Sequence, residues 1–233
     1  MLLVWLLCMV AGTAHGYSVL THEELIDLTW KNLLRATIEK RFPQTSAADL
    51  DKAHAFAYGG CVIQDLGYYP FSNELFSDLT HYVRSGDFVG NLLRDARNAD
   101  EFAFALGALS HYVGDTVGHH DAINRATAIA FPNLEKKYGA RVAYGQSPHA
   151  HIRTEFAFDI DQLSKHRLAP GAYLRAVGFR VPSRLLAQAF EETYSLPLAS
   201  VVGPPRPAVR SYRSSVRKFS AADRLCRNGN SQG

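Results

Sequence analysis

The chain has 233 residues, 47% of them hydrophobic and 20% charged, with a formal net charge of +3. We read the length as one domain, with a core large enough to stand without disulfides. The balance excludes disorder and low complexity over most of the chain. Ten histidines make the placement of the imidazoles, the commonest metal ligands, the thread to follow.

Residues 2–10 form an apolar run followed by small residues. The run is shorter than the roughly 20 residues a bilayer span needs, and fits the apolar region of a secretory signal peptide. Ala14 and Gly16 at the −3 and −1 places put cleavage after Gly16, so 1–16 is expected to be removed. The usual basic residues before the run are missing, and a buried N-terminal strand is the competing reading. Cys8 lacks the small residues of a lipoprotein signal. Cys61 and Cys226 then remain, and could pair in an oxidising compartment. No second long apolar stretch follows, so no membrane span is expected.

Thr21, with Glu24 three residues on, opens a helix as a capping box. Leu25, Ile26, Leu28, Leu33, Leu34 and Ile38 continue it to about residue 41, where Phe42-Pro43 stops it. Ser46 with Asp49 opens a second helix to about residue 58, ended by Gly59-Gly60. Residues 61–82 read as loop with short helical turns. Further helices are predicted over 87–97, 100–118, 122–131, 149–165 and 182–193. Gly107, Gly114 and Gly118 cost helix propensity in the long helix, which implies close neighbours there. A linker rich in Pro and Gly starts at Val201. It leads to a tail, 201–233 in all, in which Arg206, Arg210, Arg213, Arg217, Lys218, Arg224 and Arg227 face only Asp223. The tail is either a solvated segment or a contact for anionic lipid head groups or nucleic acid. No stretch alternates like a strand. The expected class is all-α, a compact multi-helix bundle over 17–200.

His111, Asp115 and His119 recur at i, i+4, i+8 on the long helix. At 3.6 residues per turn each step drifts only about 40°, so the three form one stripe. Phe102, Phe104, Leu106, Leu109 and Val113 surround that stripe with apolar residues. Two imidazoles and a carboxylate there are costly unless something binds them. A divalent metal with nitrogen and oxygen ligands does so, and zinc suits that set. A hydrogen-bonded His–Asp pair in the core is the competing reading. His151 and Glu155 repeat the i, i+4 spacing on a later helix, with His149 off that face. Cleavage after Gly16 would free the amine of Tyr17, five residues before His22, and an amine with its carbonyl can chelate a metal. Asp65 and His81 are unremarkable alone. His54 reads as a core or supporting residue, and His166 as surface.

Taken in order, this set resembles the ligand series of the zinc-dependent phospholipase C family and of the related trinuclear zinc nucleases. It covers roughly 17–160, and its specificity lies in the order. The resemblance implies three zincs. One would be held by Asp65, His81, His111 and Asp115. A second would take the Tyr17 amine and carbonyl with His22, sharing Asp115. A third would take His119, His151 and Glu155. The chain begins with Tyr17 where bacterial phospholipases of the family begin with Trp. The Asp115–His119 gap is shorter than theirs and closer to that of the glycosylphosphatidylinositol-specific phospholipase D relatives, which leaves His119 or His120 open as the ligand. Glu155 matches the phospholipases, where the nucleases carry Asp.

With the signal segment, the resemblance implies a secreted or periplasmic, monomeric phosphodiesterase acting on phospholipid. Water would be activated at the two zincs that share Asp115, with Asp65 orienting it or taking its proton. The alternatives are a nuclease or nucleotidase on the same scaffold, a catalytically inactive secreted zinc-binding protein, and a helical structural protein.

Overall fold

The computed structural model describes residues 19–69, 71–165 and 180–203, together with 207, 209–211 and 214. The expected signal segment, Tyr17, Cys226, His166 and most of the basic tail lie outside the described residues. Among the described residues every regular element is a helix: α1 Val19–Thr29, α2 Arg35–Arg41, α3 Ala47–Gly60, α4 Glu74–Tyr82, α5 Ser85–Asp95, α6 Ala99–Gly118, α7 Asn124–Ala130, α8 Pro132–Tyr138, α9 Pro148–Ser164, α10 Ser183–Tyr194 and α11 Leu198–Val202. Wider π turns at Trp30–Leu34 and His119–Ile123 join α1 to α2 and α6 to α7. The all-α bundle is as expected.

Side-chain caps set several starts. Ser46 accepts from the Asp49 amide at the head of α3, Asn73 from the Leu75 amide before α4, and Asn98 from the Glu101 amide before α6. Thr21 does not cap. The first helix already runs from Val19, and the Thr21 hydroxyl donates instead to Asp159 Oδ1 on α9. Pro132 begins α8 rather than only ending its predecessor, because the first helical position needs no amide donor. The linker expected from Val201 begins later, since Val201 and Val202 are buried in α11 and packed on the core.

The core lies where α3 crosses α6. A Cβ on Gly60 would stand 1.9 Å from the Phe104 carbonyl oxygen, and one on Gly107 would stand 2.1 Å from that of Ala57. The two backbones therefore approach as only glycine allows. Gly59-Gly60 is the last pair of α3, which ends there as expected. Phe104, Tyr58, Phe76, Phe88 and Phe190 are buried in the same core, with Phe76 and Phe190 stacked at 5.3 Å. Each such ring contributes roughly 1.5–3 kcal/mol when fully buried. The close crossing brings the end of α3 beside the second half of α6, where the stripe of histidines begins.

Candidate metal centre

The stripe expected on α6 is real, and four other elements converge on it. Cys61, just past α3, presents its carbonyl to His111 Nδ1 at 2.8 Å. His81, near the end of α4, donates from Nδ1 to the Ser77 carbonyl at 2.8 Å. A carbonyl only accepts, so each Nδ1 carries the hydrogen. In the neutral rings both Nε2 atoms are then bare lone pairs, and they face each other at 3.1 Å. Two lone pairs at that distance repel unless a cation or a proton lies between them. Asp65 Oδ1 stands 3.4 Å from His81 Nε2. Its turn, Ile63–Tyr68, is pinned to α4 by Ser77 and Thr80, whose hydroxyls both donate to the Gln64 carbonyl.

Asp115 lies between two groups. Its Oδ2 faces His111 Nε2 at 3.2 Å and His81 Nε2 at 3.5 Å. Its Oδ1 faces His22 Nε2 and His119 Nε2, each at 3.3 Å. His22, on α1, stacks on His111 with ring centres 4.1 Å apart. Gly114 lies against the same helix: a Cβ there would crowd Leu25 Cδ1 at 3.2 Å and touch the His22 ring at an ordinary 3.6 Å.

The third group gathers His119, His151 and Glu155. His151 Nδ1 lies 2.9 Å from Glu155 Oε1, and His119 Nδ1 lies 3.7 Å from the same oxygen. His151 and Glu155 are fully buried. Of the two neighbouring histidines, His119 is the one that faces this group. The His119 side chain is 23% exposed and faces the group, whereas that of His120 is 61% exposed and bonded to Asp121 and Arg141. His149 is exposed.

The residues fit a metal. Asp65 Oδ1, Asp115 Oδ1, His151 Nδ1 and both Glu155 oxygens are buried and have no hydrogen-bond partner among the described residues. Asp65 Oδ1, Asp115 Oδ1 and Glu155 Oε1 face imidazole nitrogens at 2.9–3.7 Å without the geometry of a hydrogen bond, as atoms do that point at a common centre. Ligands about 2.0–2.1 Å from a tetrahedral zinc stand about 3.3–3.4 Å apart. The electrostatics agree. Burial disfavours a charged Asp115, but the charge of His111 and the close approach of the His111, His119 and His22 rings overcome it and hold this carboxyl well below the usual range. Burial likewise opposes a charged His111, but Asp115 and Asp65 raise it to about 9. Its neighbour His22 is pushed down, by burial first and then by His111. The anionic pocket therefore holds a proton that a divalent cation can replace.

The structure thus brings together eight of the nine residues singled out in the sequence; Tyr17 lies outside the described residues. His54 is a supporting residue of another kind, stacked between Trp30 and Tyr58 and bonded to Asp27. Sequence reasoning missed the Cys61 and Ser77 carbonyls, Asn124, whose Oδ1 lies 2.9 Å from His151 Nε2, and the buried acids Glu23 and Asp159. Only the acids left a trace, as charges in turns that also carry apolar residues.

A helical bundle whose buried histidines and carboxylates close around one shared aspartate offers the donor set of a metalloprotein. The family model described as zinc dependent phospholipase C matches residues 21–201, and the chain belongs to that family. No curated protein and no solved structure matches it. Membership gives zinc as the metal and hydrolysis of the phospholipase C kind as the general activity. No helix among the described residues is long and apolar enough to cross a membrane.

Proposed function

We propose that the protein is a secreted or periplasmic phosphodiesterase that hydrolyses phospholipids at a centre of three zincs. The observation that carries this reading is Asp115, which turns one oxygen to His81 and His111 and the other to His22 and His119, in a chain of the zinc-dependent phospholipase C family.

In this reading Asp65, His81, His111 and Asp115 hold one zinc. Tyr17, freed by removal of 1–16, joins His22 and Asp115 at a second. His119, His151 and Glu155 hold the third. Zinc supplies Lewis acidity, lowering the pKa of water and neutralising charge on the phosphate. The rest is the work of the chain. The Cys61 and Ser77 carbonyls fix the tautomers of His111 and His81, so both present Nε2 to the centre. Asp65, buried at the edge of the pocket, orients the attacking water or takes its proton. The buried rings of His22 and His111 exclude bulk water from one side, which strengthens the charge interactions within. The catalytic domain, expected over 17–200, runs two residues further to Val202, which packs on the core; the chain works as a monomer, and the basic residues beyond it meet anionic lipid.

The test replaces Asp115 by Asn, which keeps the shape and removes the charge. Turnover of phospholipid vesicles and zinc content should fall together. Full zinc with full turnover would show that Asp115 does not bridge. Hydrolysis of DNA, RNA or nucleotides in place of phospholipid would assign the centre to a nuclease.

A further inference from the structure

The third metal group differs from the others in how its histidine is held. His111 and His81 are oriented by backbone carbonyls through Nδ1 and offer Nε2. His151 is turned the other way round. Its Nε2 meets the side chain of Asn124 at 2.9 Å, and its Nδ1 faces Glu155. Asn124 is the first residue of α7, directly after the π turn His119–Ile123. Three residues further along both helices the pairing repeats, with Thr127 donating to Thr154 at 3.1 Å. The Asn124 carbonyl also accepts from the Val142 amide at 2.9 Å, which fixes its backbone from the opposite side. The amide is therefore aimed at His151 by the packing of α7 on α9 and not by chance rotation of a surface side chain.

We propose that Asn124 is a positioning residue that selects the metal-binding tautomer of His151. The inference rests on the three-zinc reading above. An asparagine can offer either its oxygen or its NH2 to a ring nitrogen, and the two choices have opposite consequences. If the NH2 donated, the proton would sit on Nδ1 and point at Glu155. The 2.9 Å contact between Nδ1 and Glu155 Oε1 lacks the geometry of a hydrogen bond, and neither atom has another hydrogen-bond partner among the described residues. The oxygen therefore accepts from Nε2–H, and Nδ1 is left as the lone pair that a cation would take. The π turn contributes by adding a residue between the stripe of α6 and the start of α7. It lets His119 stack on the His151 ring, with centres 5.0 Å apart, while Asn124, five positions on, meets the ring's Nε2 edge.

Zinc binding by wild type, Asn124→Ala and Asn124→Asp tests this, read as zincs per chain and as the affinity of each. Aspartate keeps an oxygen at the same reach, whereas alanine removes it. Asn124→Ala should retain two tightly held zincs and bind the third about 10–100-fold more weakly, the range for loss of a partner to a metal-bound histidine. Asn124→Asp should hold three. Retention of two zincs by Asn124→Ala also reports that it folds. If it fails to fold, three zincs in Asn124→Asp support the inference and two overturn it. Three zincs of unchanged affinity in Asn124→Ala overturn it while leaving the three-zinc reading intact. A wild-type chain without zinc overturns both.

Discussion

His81 Nε2 and His111 Nε2 face each other at 3.1 Å, and each ring's other nitrogen is committed to a backbone carbonyl. Neither ring can relieve the contact by turning over without breaking that bond. Only a cation or a shared proton reconciles the pair, so the fold has a positive charge built into it at this point.

The metal-free protein should consequently depend on a proton. His111 is held near 9, against about 6.5 when unfolded. A histidine raised in this way contributes stability that is fully present below about 6.5 and lost as pH rises through about 9. The melting temperature of chelator-treated protein should therefore fall across that window, and zinc should abolish the fall. At neutral pH, zinc binding should also release protons, seen as a dependence of the calorimetric heat on the buffer's ionisation enthalpy. A metal-free melting temperature that is flat from pH 6.5 to 9 would mean that His111 is not held as described.

Zinc should stabilise the fold by mass action, by about 2.7 kcal/mol at a free concentration 100 times its dissociation constant. Thermal unfolding with and without chelator measures this, and equal midpoints would count against a structural role for the metal.

His119 and His120 should separate cleanly. His119→Ala should weaken zinc binding at the third group and depress turnover by orders of magnitude. His120→Ala, which loses only exposed contacts to Asp121 and Arg141, should shift stability by no more than about 0.5 kcal/mol. Equal effects of the two changes would refute the assignment.

Gly107→Ala should lower stability by about 1–3 kcal/mol or more, because its Cβ would meet the Ala57 carbonyl oxygen at 2.1 Å. For a chain of this size each kcal/mol is about 2–4 °C in melting temperature. The same shift would move Cys61 away from His111, so zinc affinity should fall with it. Gly90→Ala, with nothing within 4 Å, is the control and should be neutral or slightly stabilising.

Much of this was legible in the sequence because helical periodicity reports directly on which side chains share a face. His111, Asp115 and His119 declare themselves that way, as do His151 and Glu155. Asp65, His81 and His22 do not, since each comes from a different element and only the order along the chain, matched to a family, links them. The carbonyls of Cys61 and Ser77 leave no mark because any residue carries one. Asn124 was invisible because its value depends on a π turn, which adds a residue without a sequence signature. Gly59-Gly60 was legible as the end of α3, although not its role in the close approach to Phe104. Pro132 was read through its local preference only as a helix stop, and the freedom of an N-terminal helical position lets it begin α8 instead.

The most direct test is the metal content of the mature protein, secreted with its own signal segment, by elemental analysis, with the N-terminus sequenced on the same sample. The account predicts close to three zincs per chain and Tyr17 as the first residue. A folded chain starting at Tyr17 that carries no zinc would contradict it.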